Sequence, residues 1–146
     1  MTDPHQLQRF IEAQKRDYPS ALAEITAGRK RSHWMWYVFP QYNGLGFSTT
    51  SIHFAIKSLA EARAYLAHPV LGPRLHDCAN TLLTVHGRTA HEIFGSPDDL
   101  KLKSSMTLFE QVAPEGSVFA QVLDQYFAGE RDRRTLELIH GNNDDS

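Results

Sequence analysis

RKRSHWMWYVFPQYNGLGFSTTS, residues 29–51, is the stretch whose reading decides the fold. Its run His33-Trp34-Met35-Trp36-Tyr37-Val38-Phe39 is aromatic and β-branched enough for a short strand. It is also long enough for two helical turns ending before Pro40, since the residue before a proline avoids the α region. At helical spacing Trp36, Phe39 and Met35 share one side, with His33, Trp34 and Tyr37 partly on another. Residues 41–50 read as a loop, with Asn43-Gly44 and Gly46 as turn signals. The flanking chain reads as helix, so helix or irregular structure is expected for 29–39, and an all-α fold with it.

On the N-terminal side, residues 2–18 form an amphipathic pattern, with Thr2 or Asp3 as cap and Pro4 in the first turn. Tyr18-Pro19 should break it. Ser20 then caps a short helix over 21–27, with Glu24 placed to complete the capping geometry and Gly28 as the stop. On the C-terminal side a regular element resumes over 51–57. Ser58-Leu59-Ala60-Glu61 is a capping-box pattern that opens a helix to Ala67. Leu75, Cys78, Ala79, Leu82 and Leu83 give the next helix an apolar stripe that Gly87 ends. Thr89-Ala90-His91-Glu92 caps a short turn. Ser96-Pro97 opens a helix with Asp98 and Asp99 at its positive end. An amphipathic helix over 114–128 and a last one capped by Asp132 complete the count. The expectation is one compact domain over residues 1–146 with seven or eight helices, and a frayed polar tail at 141–146.

Composition sets the outer bounds. The chain has 146 residues, 41% of them hydrophobic and 22% charged, enough for one apolar core without staples. The lone cysteine, Cys78, permits no internal disulfide and suits a reducing cytoplasm. No apolar leader and no 18-residue apolar run suggest a signal peptide or a membrane span. Fifteen basic against seventeen acidic residues give a net charge of −2, which disfavours a dedicated duplex-DNA binder. A local cluster such as Arg29-Lys30-Arg31 still suits a small anion.

Two segments carry candidate chemistry. In the first, Lys30, Arg31, Ser32 and His33 are anion donors, and Trp34, Trp36 and Phe47 are rings able to stack on a flat ligand. Gln41, Gly46 and Ser48 belong to a turn whose backbone can approach a phosphate closely. It is not a Walker A loop, because no lysine follows the last glycine. The second segment is Asp98-Asp99-Leu100-Lys101-Leu102-Lys103-Ser104-Ser105-Met106-Thr107, two acids followed by two lysines and three hydroxyls. Lys101 and Ser105 share a face, and two serines inside a helix sacrifice propensity. Lys101, Ser104 and Ser105 are therefore candidate ligand contacts, while His33 and Asp99 are the candidate acid and base. The plainer alternative assigns the rings to the core and the acids to the helix dipole. The eight histidines show no metal-ligand spacing, so neither metal nor cofactor is expected.

HWMWYVFPQYNGLGFS, followed by HPVLGPRL and KLKSSMTLF, resembles an uncharacterised bacterial family, the domain of unknown function eighteen-ten. The resemblance spans roughly residues 7–139. It implies a single all-helical domain without an assigned activity. Members often carry the label "calpastatin", but calpastatin repeats are disordered and this composition is globular. A more distant similarity, to small helical proteins that bind or process ADP-ribose, implies a nucleotide-like or phosphorylated ligand and, at its furthest, an ADP-ribose-type hydrolase. Against that pocket reading stand a non-catalytic interaction module with an exposed aromatic patch, and a protein whose motifs serve only the fold.

Overall fold

Nine helices form among residues 3–141, the part of the chain that this computed structural model describes. They are α1 (Gln8–Thr26), α2 (Met35–Val38), α3 (Thr49–Phe54), α4 (Leu59–Ala67), α5 (Leu71–Thr84), α6 (Ala90–Phe94), α7 (Asp98–Glu110), α8 (Val118–Phe127) and α9 (Arg133–His140). No strand forms among the described residues, and the single β-bridge joins Tyr42 to Ile56 in parallel. The all-α expectation holds. Of the ambiguous stretch 29–39, only the four residues of α2 are helical, and the rest is irregular.

The first helix departs from expectation. It begins at Gln8 with Leu7 at the cap position, so Asp3 and Pro4 precede it, although the Asp3 carboxylate reaches forward to accept from the Leu7 amide at 2.8 Å and the Gln8 amide at 3.0 Å. Thr2 and residues 142–146 of the expected tail lie outside the described residues. The helix does not stop at Tyr18-Pro19 but runs on to Thr26 with Pro19 inside it. Pro19 leaves the Lys15 carbonyl without its usual donor, yet both residues face solvent. Meanwhile Phe10, Gln14, Ala21 and Ile25 continue one buried stripe straight across the proline. Burial of that stripe outweighs the lost bond. Ser20 caps nothing because it lies inside α1, and Glu24, four residues after it, is not at the third position that a capping box needs. Gly28 does end the helix, in the left-handed region at φ +74°.

Two helices hold the middle. α5 packs on α1, α4 and α8, and α7 packs on α4, α6, α8 and α9. A file of rings runs through the core: Phe54 to Phe10 (5.8 Å between centroids), Phe10 to Tyr65 (5.1 Å), Tyr65 to Phe109 (5.2 Å) and Phe109 to Phe119 (5.9 Å). It links α3, α1, α4, α7 and α8 through tilted and edge-on contacts, the geometry that aromatic quadrupoles favour. Buried polar groups are tied into this core. Gln14 donates to the Tyr37 carbonyl (2.6 Å) and the Tyr65 hydroxyl (3.0 Å) and accepts from Arg74 (3.4 Å). Arg9 spends its guanidinium on the carbonyls of His5, Gln6, His53 and Ala55 and on buried Glu61, at 2.6 Å for the last. That one side chain pins the start of α1 to the end of α3 and the first turn of α4.

Candidate functional site

The basic end of the first segment is organised by a carboxylate. Glu24 reaches from α1 to accept from the Arg31 amide (2.8 Å), the Ser32 amide (3.0 Å), the Ser32 hydroxyl (2.6 Å) and Trp34 Nε1 (2.9 Å). Desolvation pushes the Glu24 carboxyl up, but the Ser32 hydroxyl, the two amides and the indole outweigh it and hold it at about 2. Trp34 is fully buried, packed with Phe39 and Phe94 at 6.2 and 6.3 Å between centroids. Lys30 donates its amide to the Ile93 carbonyl at 2.7 Å. Residues 28–34 are thereby strapped across α1 and α6.

Beyond Pro40 the chain leaves the core and returns to it. Ile56 donates to the Gln41 carbonyl (2.9 Å) and accepts from the Asn43 amide (2.8 Å), closing the loop between them. Ser48 caps α3, accepting from the Ser51 amide at 3.1 Å and donating to the Ser51 hydroxyl at 2.9 Å. Gly46 is required by this closure, since a Cβ there would lie 2.7 Å from the Ser51 Cβ. Gly44 has φ +105° and lies against Leu138 of α9. The loop is thus held between α3 and α9.

Between this loop, α7 and the start of α9 lies an open cleft of about 310 Å³. Gln41, Leu45, Gly46 and Ser51 form its loop wall. Pro97, Leu100, Lys101 and Ser104 form the α7 wall, and Asp132 and Arg134 close the α9 end. A recess of about 10 Å³, room for one water, lies behind Gln41, Gly46 and Ser51, beside Trp36.

Among the residues that line the cleft, the cations Lys101 and Arg134 outnumber the one anion, Asp132. Asp98 receives Lys30 at 2.9 Å and Lys101 at 3.4 Å, so two cations share one carboxylate. Lys30 is nearly buried, and it also lies 5.0 Å from the Trp34 ring centroid. Lys101, on the cleft wall, stands 4.9 Å from the Trp36 centroid. Arg134 is exposed and meets Glu137 only at 3.7 Å. Asp132 spends one oxygen capping α9, accepting from the Thr135 amide at 3.0 Å.

The sequence profile described as "Protein of unknown function (DUF1810)" matches residues 4–139. The chain belongs to this family. A solved structure, the conserved hypothetical protein Rv1873 from Mycobacterium tuberculosis, is similar to it at 51% identity. The two superpose with a TM-score of 0.93, covering 94% of this chain and 99% of that one. No curated protein matches the chain.

In this DUF1810 chain the cleft brings together Gln41 and Gly46 from the first segment with Lys101 and Ser104 from the second. Trp36 lines the recess behind them, and Ser48 holds the loop through Ser51. The remaining candidates lie elsewhere. Arg31 and Ser32 give their amides to Glu24, Trp34 is core, and Ser105 is wholly buried without a hydrogen-bond partner. Asp99 holds the Leu100 amide (2.9 Å) and His91 (3.5 Å). His33 is exposed and offers its carbonyl to the Tyr37 hydroxyl at 3.1 Å, so no contact joins it to Asp99. Ser51, Asp132 and Arg134 were missed as cleft residues. Asp132 was legible only as a cap, and nothing near Arg134 in the sequence ties it to residues 41–51.

Desolvation pushes the Cys78 thiol up to about 12, which leaves it a core residue. No cluster of three or more metal-ligating side chains occurs among the described residues, and no described helix is long and apolar enough to cross a membrane.

Proposed function

We propose that this domain binds a small anionic molecule in the cleft between the 41–51 loop, α7 and α9, with Lys101 as its main anchor. The observation that carries this is the shared carboxylate. Lys30 already neutralises Asp98 from the buried side, so Lys101 presents charge to the cleft that its partner does not cancel. The aromatic face of Trp36 holds the ammonium in place without neutralising it. The volume sits at the lower end of the range for small-molecule sites. This is a reading of binding without chemistry: neither His33 nor Asp99 lines the cleft, and the ADP-ribose-type hydrolase would need them there.

The test is a thermal-shift panel of inorganic phosphate, sugar phosphates, mononucleotides, NAD and ADP-ribose. At a hundredfold excess over Kd a ligand adds about 2.7 kcal/mol, a rise of roughly 5–10 °C in a domain of this size. Lys101→Ala should abolish the shift and leave the unliganded melting temperature within a few degrees. No shift with any anion would defeat the proposal.

A second reading has its own observation. Phe47, Leu100 and Ile52 are exposed at 83%, 58% and 49%, on the loop, the cleft wall and α3. Exposed apolar side chains mark an interaction surface where they form one contiguous patch. Sedimentation of wild type and Phe47→Ser separates this reading, which requires association that the substitution weakens.

A further inference from the structure

Given the reading of the cleft as an anion site, the chemistry of its walls restricts which anion it takes. Among the described residues, no aromatic ring lines it. Trp34 is buried, and Trp36 faces a recess sized for one water with Lys101 against its ring. A purine or pyrimidine base therefore finds no slot between rings, the usual means of holding one. The polar groups point instead to hydroxyls. Asp132 puts a carboxylate into a cleft that otherwise favours anions, and a carboxylate there repels phosphate unless it accepts a hydrogen bond from the ligand. Gln41 closes the loop through its backbone carbonyl and lines the cleft, and its side-chain amide can both donate and accept. Ser51 and Ser104 lie on opposite walls, but the Ser104 hydroxyl donates to the Leu100 carbonyl at 3.1 Å and the Ser51 hydroxyl accepts from Ser48 at 2.9 Å, so the hydroxyl-binding groups are Asp132 and Gln41. Leu45, Pro97 and Leu100 cover an aliphatic skeleton.

We infer that the ligand is a phosphorylated polyol or sugar: Lys101 and Arg134 take the phosphate, while Asp132 and Gln41 take the hydroxyls. Calorimetric titration with inorganic phosphate, ribose 5-phosphate, AMP and ribose tests this. Ribose 5-phosphate should bind at least about tenfold tighter than phosphate, the worth of one hydrogen bond to a charged group. AMP should bind no tighter than ribose 5-phosphate. Asp132→Asn keeps a good N-cap for α9 and should erase the tenfold preference while retaining phosphate. Gln41→Leu, which leaves the backbone closure intact, should do the same if Asp132→Asn fails to fold. AMP binding tighter than ribose 5-phosphate would place the base on exposed Phe47 and overturn this inference while leaving the anion site standing. Equal affinity for phosphate and ribose 5-phosphate would do likewise. Absence of binding by all four compounds, unchanged in Lys101→Ala, would remove the anion site itself.

Discussion

Glu24→Gln is the substitution that separates the structural use of residues 31–34 from a ligand-binding one. Glu24 accepts four hydrogen bonds, and one comes from Trp34 Nε1, whose ring is fully buried. Its carboxyl is held at about 2, against an ordinary 4.5. Unscreened, that shift corresponds to about 3 kcal/mol. The carboxylate is partly exposed, so screening reduces its contribution to about 1–2 kcal/mol. The folded value lies below the unfolded one. The stabilisation is therefore complete above pH 4.5 and is lost as pH falls from there towards 2. Glutamine keeps one acceptor oxygen for the indole, so the variant should fold. Urea denaturation of both proteins at pH 7, 5, 4 and 3 should show wild type ahead by about 1–2 kcal/mol at pH 7, with the gap narrowing below pH 4.5. A gap that stays constant down to pH 3, or no gap at pH 7, would refute the role of this carboxylate as the clamp on residues 31–34.

Other outcomes follow from the packing. Gly72→Ala should cost more than about 3 kcal/mol, because the added Cβ would lie 2.1 Å from the Leu66 carbonyl oxygen. Alanine in a helix normally gains about 1 kcal/mol over glycine, so the sign of the change in a urea titration is itself decisive. Pro19→Ala should stabilise by about 1–2 kcal/mol, restoring a helical hydrogen bond and removing the ring clash, less some gain in unfolded-state entropy. A lower melting temperature would mean that the proline's restriction of the unfolded chain outweighs the helical hydrogen bond it removes. Gln14→Leu should cost about 2–4 kcal/mol by chemical denaturation, since it strips the Tyr37 carbonyl and Tyr65 hydroxyl of a buried partner.

The helix ends were the most legible part of the chain. Ser58 accepts from the Glu61 amide, Asp132 caps α9, and Thr89 with Glu92 forms a complete capping box at 3.0 and 2.8 Å. Those signals are local: a side chain meets a backbone amide two or three residues away, and sequence spacing is enough to see it. Tyr18-Pro19 misled because the same local rule met a longer-range one. The stripe from Phe10 to Ile25 is worth more buried than one helical hydrogen bond, and only the positions of α5 and α2 reveal that it is buried throughout. The site divides in the same way. Gln41 and Lys101 were visible as reactive groups in unusual company. That Lys101 faces Gln41 across a cleft, while Ser105 four residues on is core, depends on how α7 turns against α4, α6, α8 and α9.

Lys30 and Lys101 show why residue type alone could not rank the basic groups. Both are lysines near a tryptophan, both reach Asp98, and both are donors that a sequence reading offers to a ligand. Lys30 is nearly buried and its amide is tied to α6, so its charge is committed to holding Asp98. Lys101 reaches the same carboxylate from the solvent side at the longer distance, 3.4 Å against 2.9 Å, and lines the cleft. Removing Lys30 would thus take away the buried counter-charge and pull Lys101 onto Asp98. Lys30→Met should lower stability and also weaken anion binding at a residue that does not line the cleft, whereas Lys101→Met should weaken binding with stability nearly intact. Equal losses of stability in both variants would mean that the two lysines share one structural task, and the asymmetry on which the anion site depends would be gone.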